Sequence, residues 1–540
     1  MNALYRWFDR NILELGREMR LSYLPPLMVY MAAGVSGLTG IVGTFFIKDY
    51  LDLSAAFLAA LGFWAGIPWA LKMPIGHLVD LLWRHKAGLV YLGATLIAAS
   101  LAIMIGLIGS PDAMRAFMPA EAWFVLSVLL APVGYVMQDA VADAMTVEAV
   151  PRVDERGQPI PAETVRLMHT TMQMLGRVAI IGGTVVVALA NVALFQGSEH
   201  LPEADKVAIY LHIYELALLI PLLSVSGVLL AGFLKRREAR RLAALGRDRA
   251  EIDRLLHEPE ERTAPNWWIL GGSAVFVAIT LGVGLSGLEY GQELIFACSF
   301  AVIGFMISKL LRELSPEAAR TLLGTVIVIF VFRAMPTSGA GSGWWMIDVL
   351  GFDQSFLSRL DLIVSTLTLA GLFLFRRFMA EKSIAHIVVF LTLAATVLSL
   401  PIIGMYHGLH EWTASLTGGV VDARFIAIAN TALESPLGQV SMVPMLAWIA
   451  NSAPPHLKAT FFAVMASFTN LALSASQLGT RYLNQIYTVT REVRDAASGA
   501  IKVPADYSEL GLLLVTVTAL GLLLPLAAVL FTRVFGLRSA

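Results

Sequence analysis

Charged residues and cysteine are both scarce in this chain. Only 15% of the 540 residues are charged, whereas 57% are hydrophobic, and the mean hydropathy is +0.71. This composition excludes a soluble fold around a single core and predicts a polytopic membrane protein. One cysteine, Cys298, excludes an internal disulfide. The net charge of -1 gives no indication of a nucleic-acid partner, and we expect none.

Signals for energy-coupling and processing segments are missing as well. The chain has no phosphate-binding G-x-x-x-x-G-K-S/T loop, which argues against ATP-driven transport by this chain alone, and we expect no cofactor. His407, His410 and Glu411 have no further clustered ligand nearby, so we expect no metal site. Residues 1–21 mix Arg with Asp and Glu and lack the apolar core of a signal peptide, so the first apolar segment is expected to be retained.

Long apolar runs dominate what is present. Runs of about 18 residues or more predict membrane-spanning helices. We predict fourteen spans, at 26–47, 54–76, 87–109, 122–148, 165–195, 209–234, 267–288, 291–311, 319–336, 355–375, 383–405, 419–449, 459–487 and 508–532.

The distribution of Lys and Arg predicts the orientation. With the N-terminus inside, most of the 39 Lys and Arg fall in cytoplasmic segments and six fall in outside loops, as the positive-inside rule requires. The discordant outside loop, 485–508, carries Arg491, Arg494 and Lys502 but also three acidic residues. We therefore expect a multi-pass protein of the plasma (inner) membrane with both termini in the cytoplasm.

A short polar loop follows the second predicted span. Its residues Gly76, Asp80, Arg84 and Lys86 have the spacing of a G-x-x-x-D-x-x-x-R/K-x-R/K element. A glycine permits close helix approach, and a carboxylate at a helix end can meet cations. The loop resembles the gate loop of the major facilitator superfamily of transporters. The resemblance implies a gate, to which we assign Lys72, Gly76, Asp80, Arg84 and Glu148, although Lys72 could equally extend its amine to the lipid headgroups.

Four blocks in order resemble the folate-biopterin transporter family within that superfamily. The first runs from Lys48 to Ser54 and has the pattern K-D-x-L-x-L-S. The second includes Pro68, Trp69 and Lys72, and the third is the D-x-x-x-D-x-x-x-x-E of the fourth span. The fourth block is made of Gly438, Gln439, Pro444, Pro454, Pro455, His456, Leu457, Lys458, Ala459, Thr460, Phe461, Phe462, Ala463, Ser467 and Asn470.

The resemblance implies an all-α major-facilitator fold of two six-helix bundles. Residues 330–336 resemble the end of the family's seventh span, so the predicted spans 267–288 and 291–311 are an inserted pair. The expected organisation is a cytoplasmic segment 1–25, an N-terminal bundle 26–234, an amphipathic cytoplasmic linker 235–266, the inserted helix pair 267–311 and a C-terminal bundle 312–540. We expect the inserted pair to be a peripheral stabilising hairpin, with partner binding as the alternative.

Ionisable residues within spans are costly and therefore indicate function. Asp139 and Asp143 lie four residues apart on one helix face, near enough to repel each other, so that one of them can hold a proton. Arg177 lies about 18 Å into the next span at 1.5 Å per residue and needs an anion, either a substrate or a carboxylate such as Asp139. Proton-coupled substrate binding and a fixed ion-pair lock are equally compatible with this set.

Arg333, Arg424 and Glu434 are the corresponding residues of the second half. Pro436 and Pro444 interrupt the span that contains Glu434 and free backbone groups that a buried cavity can use. Since the resemblance implies a pterin or folate, Glu434 or Asp139 would suit its amino-pyrimidine edge. Arg177, Arg333 or Arg424 would suit the carboxylates of a glutamyl tail.

We therefore expect a proton-coupled secondary transporter of a folate- or pterin-like small molecule, working by alternating access in the lipid bilayer, and not an enzyme. One alternative keeps the fold and changes the cargo to another organic anion, a drug or a lipid-like molecule. The other is an intramembrane enzyme or assembly factor that uses Asp139 and Asp143. The division of the polar residues between both halves favours transport.

Overall fold

The computed structural model describes residues 17–51, 53–70, 72–154, 156–198, 201–258, 265, 267–286, 288–312, 314–442, 445, 458–494 and 501–539. Several residues used above lie outside these ranges. They are the first part of the predicted segment 1–25 and Pro444, Pro454, Pro455, His456 and Leu457 of the fourth sequence block.

The described residues form twenty-two α-helices and one two-stranded hairpin. The first eleven helices are α1 Leu24–Gly34, α2 Gly40–Tyr50, α3 Ala55–Ala70, α4 Lys72–Leu81, α5 Ala87–Gly109, α6 Pro111–Arg115, α7 Ala120–Ala149, α8 Ala162–Leu194, α9 Glu203–Ala217, α10 Leu219–Ala244 and α11 Arg249–His257. The others are α12 Trp267–Leu285, α13 Gly291–Arg312, α14 Pro316–Arg333, α15 Ala340–Asp348, α16 Gln354–Leu374, α17 Arg376–Glu381, α18 Ile384–Tyr406, α19 Leu409–Thr417, α20 Ala423–Glu434, α21 Lys458–Ile486 and α22 Leu510–Val534. Strands β1 Val493–Arg494 and β2 Ile501–Val503 pair antiparallel between α21 and α22.

Ten helical stretches among the described residues are long and apolar enough to cross a membrane. Each coincides with one of the predicted spans, and a shorter apolar helix, Leu270–Gly284, coincides with the predicted span 267–288. The remaining predictions, 319–336, 419–449 and 459–487, overlap α14, α20 and α21. The all-α polytopic class is confirmed, and the number fourteen stays a prediction.

The first predicted span is not one regular helix. A 3-10 helix, Val35–Thr39, separates α1 from α2. At this break Gly34 lies directly against α8, since a Cβ there would be 3.0 Å from the Cα of Gly183 and closer still to the Ile180 carbonyl. Glycine at position 34 therefore allows the two backbones to touch.

The chain divides into two compact units. The first comprises Met1–Thr39, Pro74–Leu194 and Glu203–Leu270, and the second comprises Gly40–Met73, Phe195–Pro202 and Gly271–Ala540. In the first unit, Val29, Tyr30 and Val79 pack with Val141 and other residues of α7. A large core of the second unit joins α14, α18 and α21 through residues such as Val328, Val388 and Phe468. The predicted bundle boundaries, 26–234 and 312–540, remain a prediction.

The linker and the inserted pair each pack on a neighbour. The segment predicted as one amphipathic helix begins as the end of α10, turns at Gly246, whose φ is +82°, and continues as α11. Leu242 is fully buried, and the Arg247 guanidinium donates to the Gly157 carbonyl at 2.6 Å. In the second unit, Phe276 of α12 and Ile295 of α13 pack in one cluster with Phe63, Ile67 and Leu478.

Candidate substrate and coupling site

A buried tyrosine meets one of the predicted coupling carboxylates. The Tyr30 hydroxyl of α1 donates a hydrogen bond of 2.6 Å to Asp143 Oδ1 of α7. Tyr30 is only 6% exposed. Its ring lies over α8 at Gly176, where a Cβ would be 2.9 Å from the ring. Glycine at 176 therefore makes room for the ring that carries the hydroxyl to Asp143.

Asp139 and Arg177 complete this cluster. Asp139, Asp143 and Arg177 all lie within electrostatic range of the Tyr30 hydroxyl. The two carboxylates are half-buried and Arg177 is exposed. Within the part of the chain that the structure describes, Arg177 forms no ion pair, so the fixed lock between Arg177 and Asp139 is absent from this conformation. The structure brings the three predicted residues together and leaves the arginine open to an anion.

Glu148, at the end of the same helix, is neutralised from two sides. The Lys86 amine lies 2.5 Å from Oε1 of Glu148, and the Lys235 amine lies 2.9 Å from Oε2. Lys86 is 5% exposed, stands 3.8 Å over the centre of the Trp83 ring, and donates to the Trp83 carbonyl. Burial lowers the pKa of the Lys86 ammonium to about 8, an effect that Glu148 partly offsets. This pair has almost no access to water.

The other predicted gate residues have separate surroundings. Asp80 is half-buried and within electrostatic range of Lys86, whereas Arg84 is exposed and lies 3.6 Å from Asp253 of α11. Lys72 is half-buried at the start of α4. No described atom outside its own helix backbone and chain neighbours lies within 4 Å of the place a Cβ would take at Gly76. The close helix approach predicted for Gly76 is therefore not seen among the described residues.

Arg333 ends α14 and is half-buried. Its Nε donates to the Thr469 carbonyl at 3.3 Å, and its Nη1 lies 3.6 Å from the Met442 sulfur. No carboxylate of the described ranges forms an ion pair with it. A cavity of about 10 Å³ beside it holds at most one water. Among the described residues the guanidinium therefore keeps unused donors, and the cavity beside it is too small for a cargo in this conformation.

Arg424 and Glu434 do not meet, because they lie at opposite ends of α20, roughly 15 Å apart at 1.5 Å per residue. Arg424 pairs with Asp353 at 2.9 Å and stacks 5.1 Å from the Phe356 ring centre. These contacts tie Arg424 to the start of α16. Glu434 is exposed.

The helix containing Glu434 breaks where the prolines predicted a break. α20 ends at Glu434, and a 3-10 helix, Ser435–Leu437, follows it. The Thr368 hydroxyl of α16 donates to the Ser435 carbonyl at 3.0 Å, and Gly371 allows α16 to touch the Pro436 backbone. The Ser435 carbonyl, which also accepts from the Gly438 amide at 3.1 Å, thus has a second partner on a neighbouring helix.

Arg491 of the discordant outside loop bonds directly to the backbone of the first family block. Arg491 is 3% exposed, and its guanidinium donates to the carbonyls of Ile47, Lys48 and Leu53 at 2.9, 2.6 and 2.8 Å and also to that of Leu51. It therefore closes the carboxyl end of α2, where carbonyls lack helical partners.

An ion pair lies beside this contact. Lys48 pairs with Asp348 at 2.7 Å, and the Tyr507 hydroxyl donates to the same carboxylate at 2.5 Å. Burial, with this hydrogen bond, raises the pKa of Tyr507. Arg491 of this loop is thus buried and bonded to backbone carbonyls, which accounts for its departure from the positive-inside rule.

Sequence reasoning missed Tyr30, Lys86, Lys235 and Arg491 as organising residues. Lys86 had a signal, because it is the second basic residue of the gate-loop pattern. Lys235 had a weaker one, as the first residue of a basic run after a span. Tyr30 had none, since an aromatic residue in an apolar run is usually a core residue.

Comparisons with known proteins agree with this architecture. The sequence profile of the BT1 family matches residues 33–536. A folate-biopterin transporter of Synechocystis is 22% identical over 469 residues, which cover 86% of this chain and 75% of the relative. Folate transporter 2 of Plasmodium falciparum is 24% identical over 158 residues, 29% of this chain and 33% of the relative.

Solved structures share the fold at low sequence identity. A POT family transporter in complex with 5-aminolevulinic acid has a TM-score of 0.60 at 13% identity, covering 95% of this chain and 96% of the other. The nucleoside transporter NupG has a TM-score of 0.52 at 12% identity, covering 94% and 99%. The major-facilitator fold predicted from the sequence is confirmed.

Proposed function

Because this chain belongs to the BT1 family and is a multi-pass membrane transporter of small molecules, we propose that it is a secondary active transporter of a folate- or pterin-like cargo. It works by alternating access and couples transport to protons. The named cargo of the Synechocystis and Plasmodium relatives supports the cargo class. We place the chain in the plasma (inner) membrane with both termini in the cytoplasm, on the distribution of its Lys and Arg.

One observation carries the proposal: the Tyr30 hydroxyl bonded to Asp143, with Asp139 and Arg177 in electrostatic range. A pterin presents adjacent N–H donors that a carboxylate accepts in two parallel hydrogen bonds. A folate adds carboxylates, for which a planar guanidinium is the natural partner. The cluster provides both kinds of group within one unit.

Proton coupling follows from the carboxylate pair. Asp139 and Asp143 are one helical turn apart and half-buried, so their charges repel in surroundings with little water. A proton on either carboxylate removes that repulsion. With the proton on one carboxylate, the other stays charged and can accept the amino-pyrimidine edge, so proton binding and cargo binding favour each other, as gradient-driven uptake requires.

The predicted residues of the second half, Arg333, Arg424 and Glu434, have different roles in this proposal. Arg333 is the second anion contact, since it has donors that the described residues do not use. Glu434, exposed at the helix break, is a further contact for the amino-pyrimidine edge. The ion pair of Arg424 with Asp353 favours a structural role for Arg424. Lys72, Gly76, Asp80, Arg84 and Glu148 form the proposed gate.

The test is uptake of labelled folate and of a reduced pterin into vesicles that contain the purified protein, with and without an inward proton gradient. Gradient-driven accumulation is expected for the natural chain and lost in Asp143→Asn. Tyr30→Phe, which removes only the hydroxyl, should reduce it in the same direction. Asp112→Asn, at an exposed carboxylate of α6, is the matched control and should behave as the natural chain.

Uptake of neither compound by folded protein would refute the pterin cargo and leave a transporter of another organic anion. Accumulation that ignores the gradient would refute the coupling and retain the cargo.

A further inference from the structure

A cavity of about 400 Å³ opens beside the inserted helix pair, within the second unit. Its wall includes Trp64 of α3, Val283 of α12, Gln292 of α13 and Arg481 of α21. This volume is in the range of small-molecule sites. α3 begins near this cavity, α12 and α21 end near it, and α13 begins there, so the cavity lies at the ends of membrane helices.

The cavity holds an arginine that is fixed in place but not saturated. Arg481 Nη1 donates to Gln292 Oε1 at 3.1 Å and to Glu293 Oε1 at 3.2 Å. Gln292 is 7% exposed, and its amide nitrogen bonds the Ala60 carbonyl at 3.0 Å. These bonds use one of the guanidinium nitrogens, and among the described residues Nε and Nη2 have no acceptor. A positioned guanidinium with unused donors is a site for a phosphate or carboxylate.

A second charge of opposite sign lines the same cavity. Glu289 is exposed in the turn between α12 and α13, and Gln485 lies one turn after Arg481 on α21. A simple anion at Arg481 would be repelled by Glu289 and by Glu293, which already pairs with Arg481 at 3.2 Å, whereas a ligand that carries both a phosphate and an amine would be matched at charges of both signs.

Apolar surface continues from the cavity along the inserted pair. Leu288 at the rim is 57% exposed, Leu281 on α12 is 58% exposed and Leu294 on α13 is 46% exposed. Phe57 on the opposite wall is 44% exposed. A ligand with a charged head at Arg481 can therefore place an acyl chain against these side chains without leaving the membrane.

From these contacts we infer that the cavity binds a phospholipid with an amine headgroup. Its phosphodiester lies on Arg481, its ammonium faces Glu289, and its acyl chain follows α12 and α13. Nothing in the transport site described above requires this cavity. The inserted pair thereby gains a role as a lipid-binding hairpin, beyond the passive packing expected from the sequence.

The inference is tested by native mass spectrometry of the purified protein titrated with phosphatidylethanolamine and, separately, with phosphatidylglycerol. One phosphatidylethanolamine should be retained preferentially, and Arg481→Gln should weaken its binding about tenfold, the loss of a charge-assisted hydrogen-bond pair. Ala56→Trp, which fills the cavity and leaves residue 481 unchanged, should abolish retention. The matched control is Arg312→Gln at the exposed far end of α13, which should leave retention unchanged.

Three results would overturn the inference. These are equal retention of both lipids, equal loss in Arg312→Gln and Arg481→Gln, and displacement of the lipid by millimolar inorganic phosphate, which would make the cavity a site for a soluble anion. Circular dichroism and thermal unfolding of each variant separate loss of lipid from loss of fold.

Discussion

The two ends of the acidic stretch in α7 provide opposite surroundings for the same functional group. Glu148, which we call the closed end, is held by two lysine amines at 2.5 and 2.9 Å, and its side chain is 12% exposed. Nine residues earlier, at what we call the open end, Asp139 lies on the same half-buried helix face as a second carboxylate, Asp143. The Tyr30 hydroxyl, a neutral donor, bonds to Asp143. The nearby cation, Arg177, is exposed.

From this difference we propose different roles for the two ends of the stretch. A carboxylate that is paired with two amines, one of them buried, resists exchange of partners. A carboxylate pair that is served by a hydroxyl and an open arginine can exchange protons and anions. We therefore assign structural closure to Glu148 and coupling to the aspartates.

The largest effect is expected from removing the charge of Glu148, at the closed end of the acidic stretch. Glu148→Gln leaves Lys86 buried without its carboxylate, and loss of one partner of a buried pair costs about 3 kcal/mol. Thermal unfolding in detergent should show a large drop in the midpoint. A midpoint within the error of the natural chain would show that the two lysines do not depend on Glu148.

At the open end, Arg177→Gln should raise the KM for folate about 100-fold, because charge-assisted hydrogen bonds to the cargo carboxylates are lost. A pterin that lacks the glutamyl tail should be affected far less. Arg177→Lys should restore only part of the affinity, since an ammonium cannot form the paired bonds. Equal effects on both cargos would place Arg177 away from the tail.

The free energy of unfolding is expected to depend on pH through Lys86, at the closed end of the acidic stretch. Since burial lowers the pKa of Lys86 to about 8, the unfolded chain binds a proton between that pH and the ordinary value near 10.5 that the folded chain has released. The contribution of Lys86 to the free energy of unfolding is therefore constant below about pH 8 and rises with pH above it.

The expected gain is about 1 kcal/mol between pH 7 and pH 9. Unfolding across this range should show a positive slope for the natural chain relative to Lys86→Met. Lys206→Met serves as the control and should keep the slope. If Lys86→Met has the same pH profile as the natural chain, the ammonium is not in the closed environment described.

The smallest effect is expected for Arg84, an exposed residue of the predicted gate. Arg84 is 64% exposed at the side chain and lies 3.6 Å from Asp253. Exposed pairs of this kind contribute below about 0.5 kcal/mol, so Arg84→Gln should hardly change the unfolding midpoint. A loss comparable with that of Glu148→Gln would mean that α11 is held mainly by this contact.

The sequence was sufficient for the membrane class, for the positions of most helices and for the Asp139, Asp143 and Arg177 cluster. Apolar run length determines a membrane helix, and a spacing of four determines a shared helix face, so both are local properties. Arg177 could be singled out from the sequence because a charged residue inside an apolar run is costly and therefore indicates function.

The missed residues depend on tertiary packing, which spacing does not encode. Tyr30 reaches Asp143 because Gly176 lets its ring lie across α8. Lys86 and Arg84 have equivalent positions in the loop pattern, yet one is buried against Trp83 and the other is exposed. Arg424 was grouped with Glu434 on residue type, although α20 separates them.

The most direct measurement follows proton movement itself. Vesicles loaded with a pH-sensitive dye report protons that enter when unlabelled cargo is added outside, for the natural chain, Asp143→Asn and Glu148→Gln side by side. The account predicts that Asp143→Asn abolishes cargo-driven proton entry, whereas Glu148→Gln slows it but keeps the same number of protons per cargo molecule. Cargo-driven proton entry that survives Asp143→Asn and disappears in Glu148→Gln would contradict the assignment of coupling to the open end of α7.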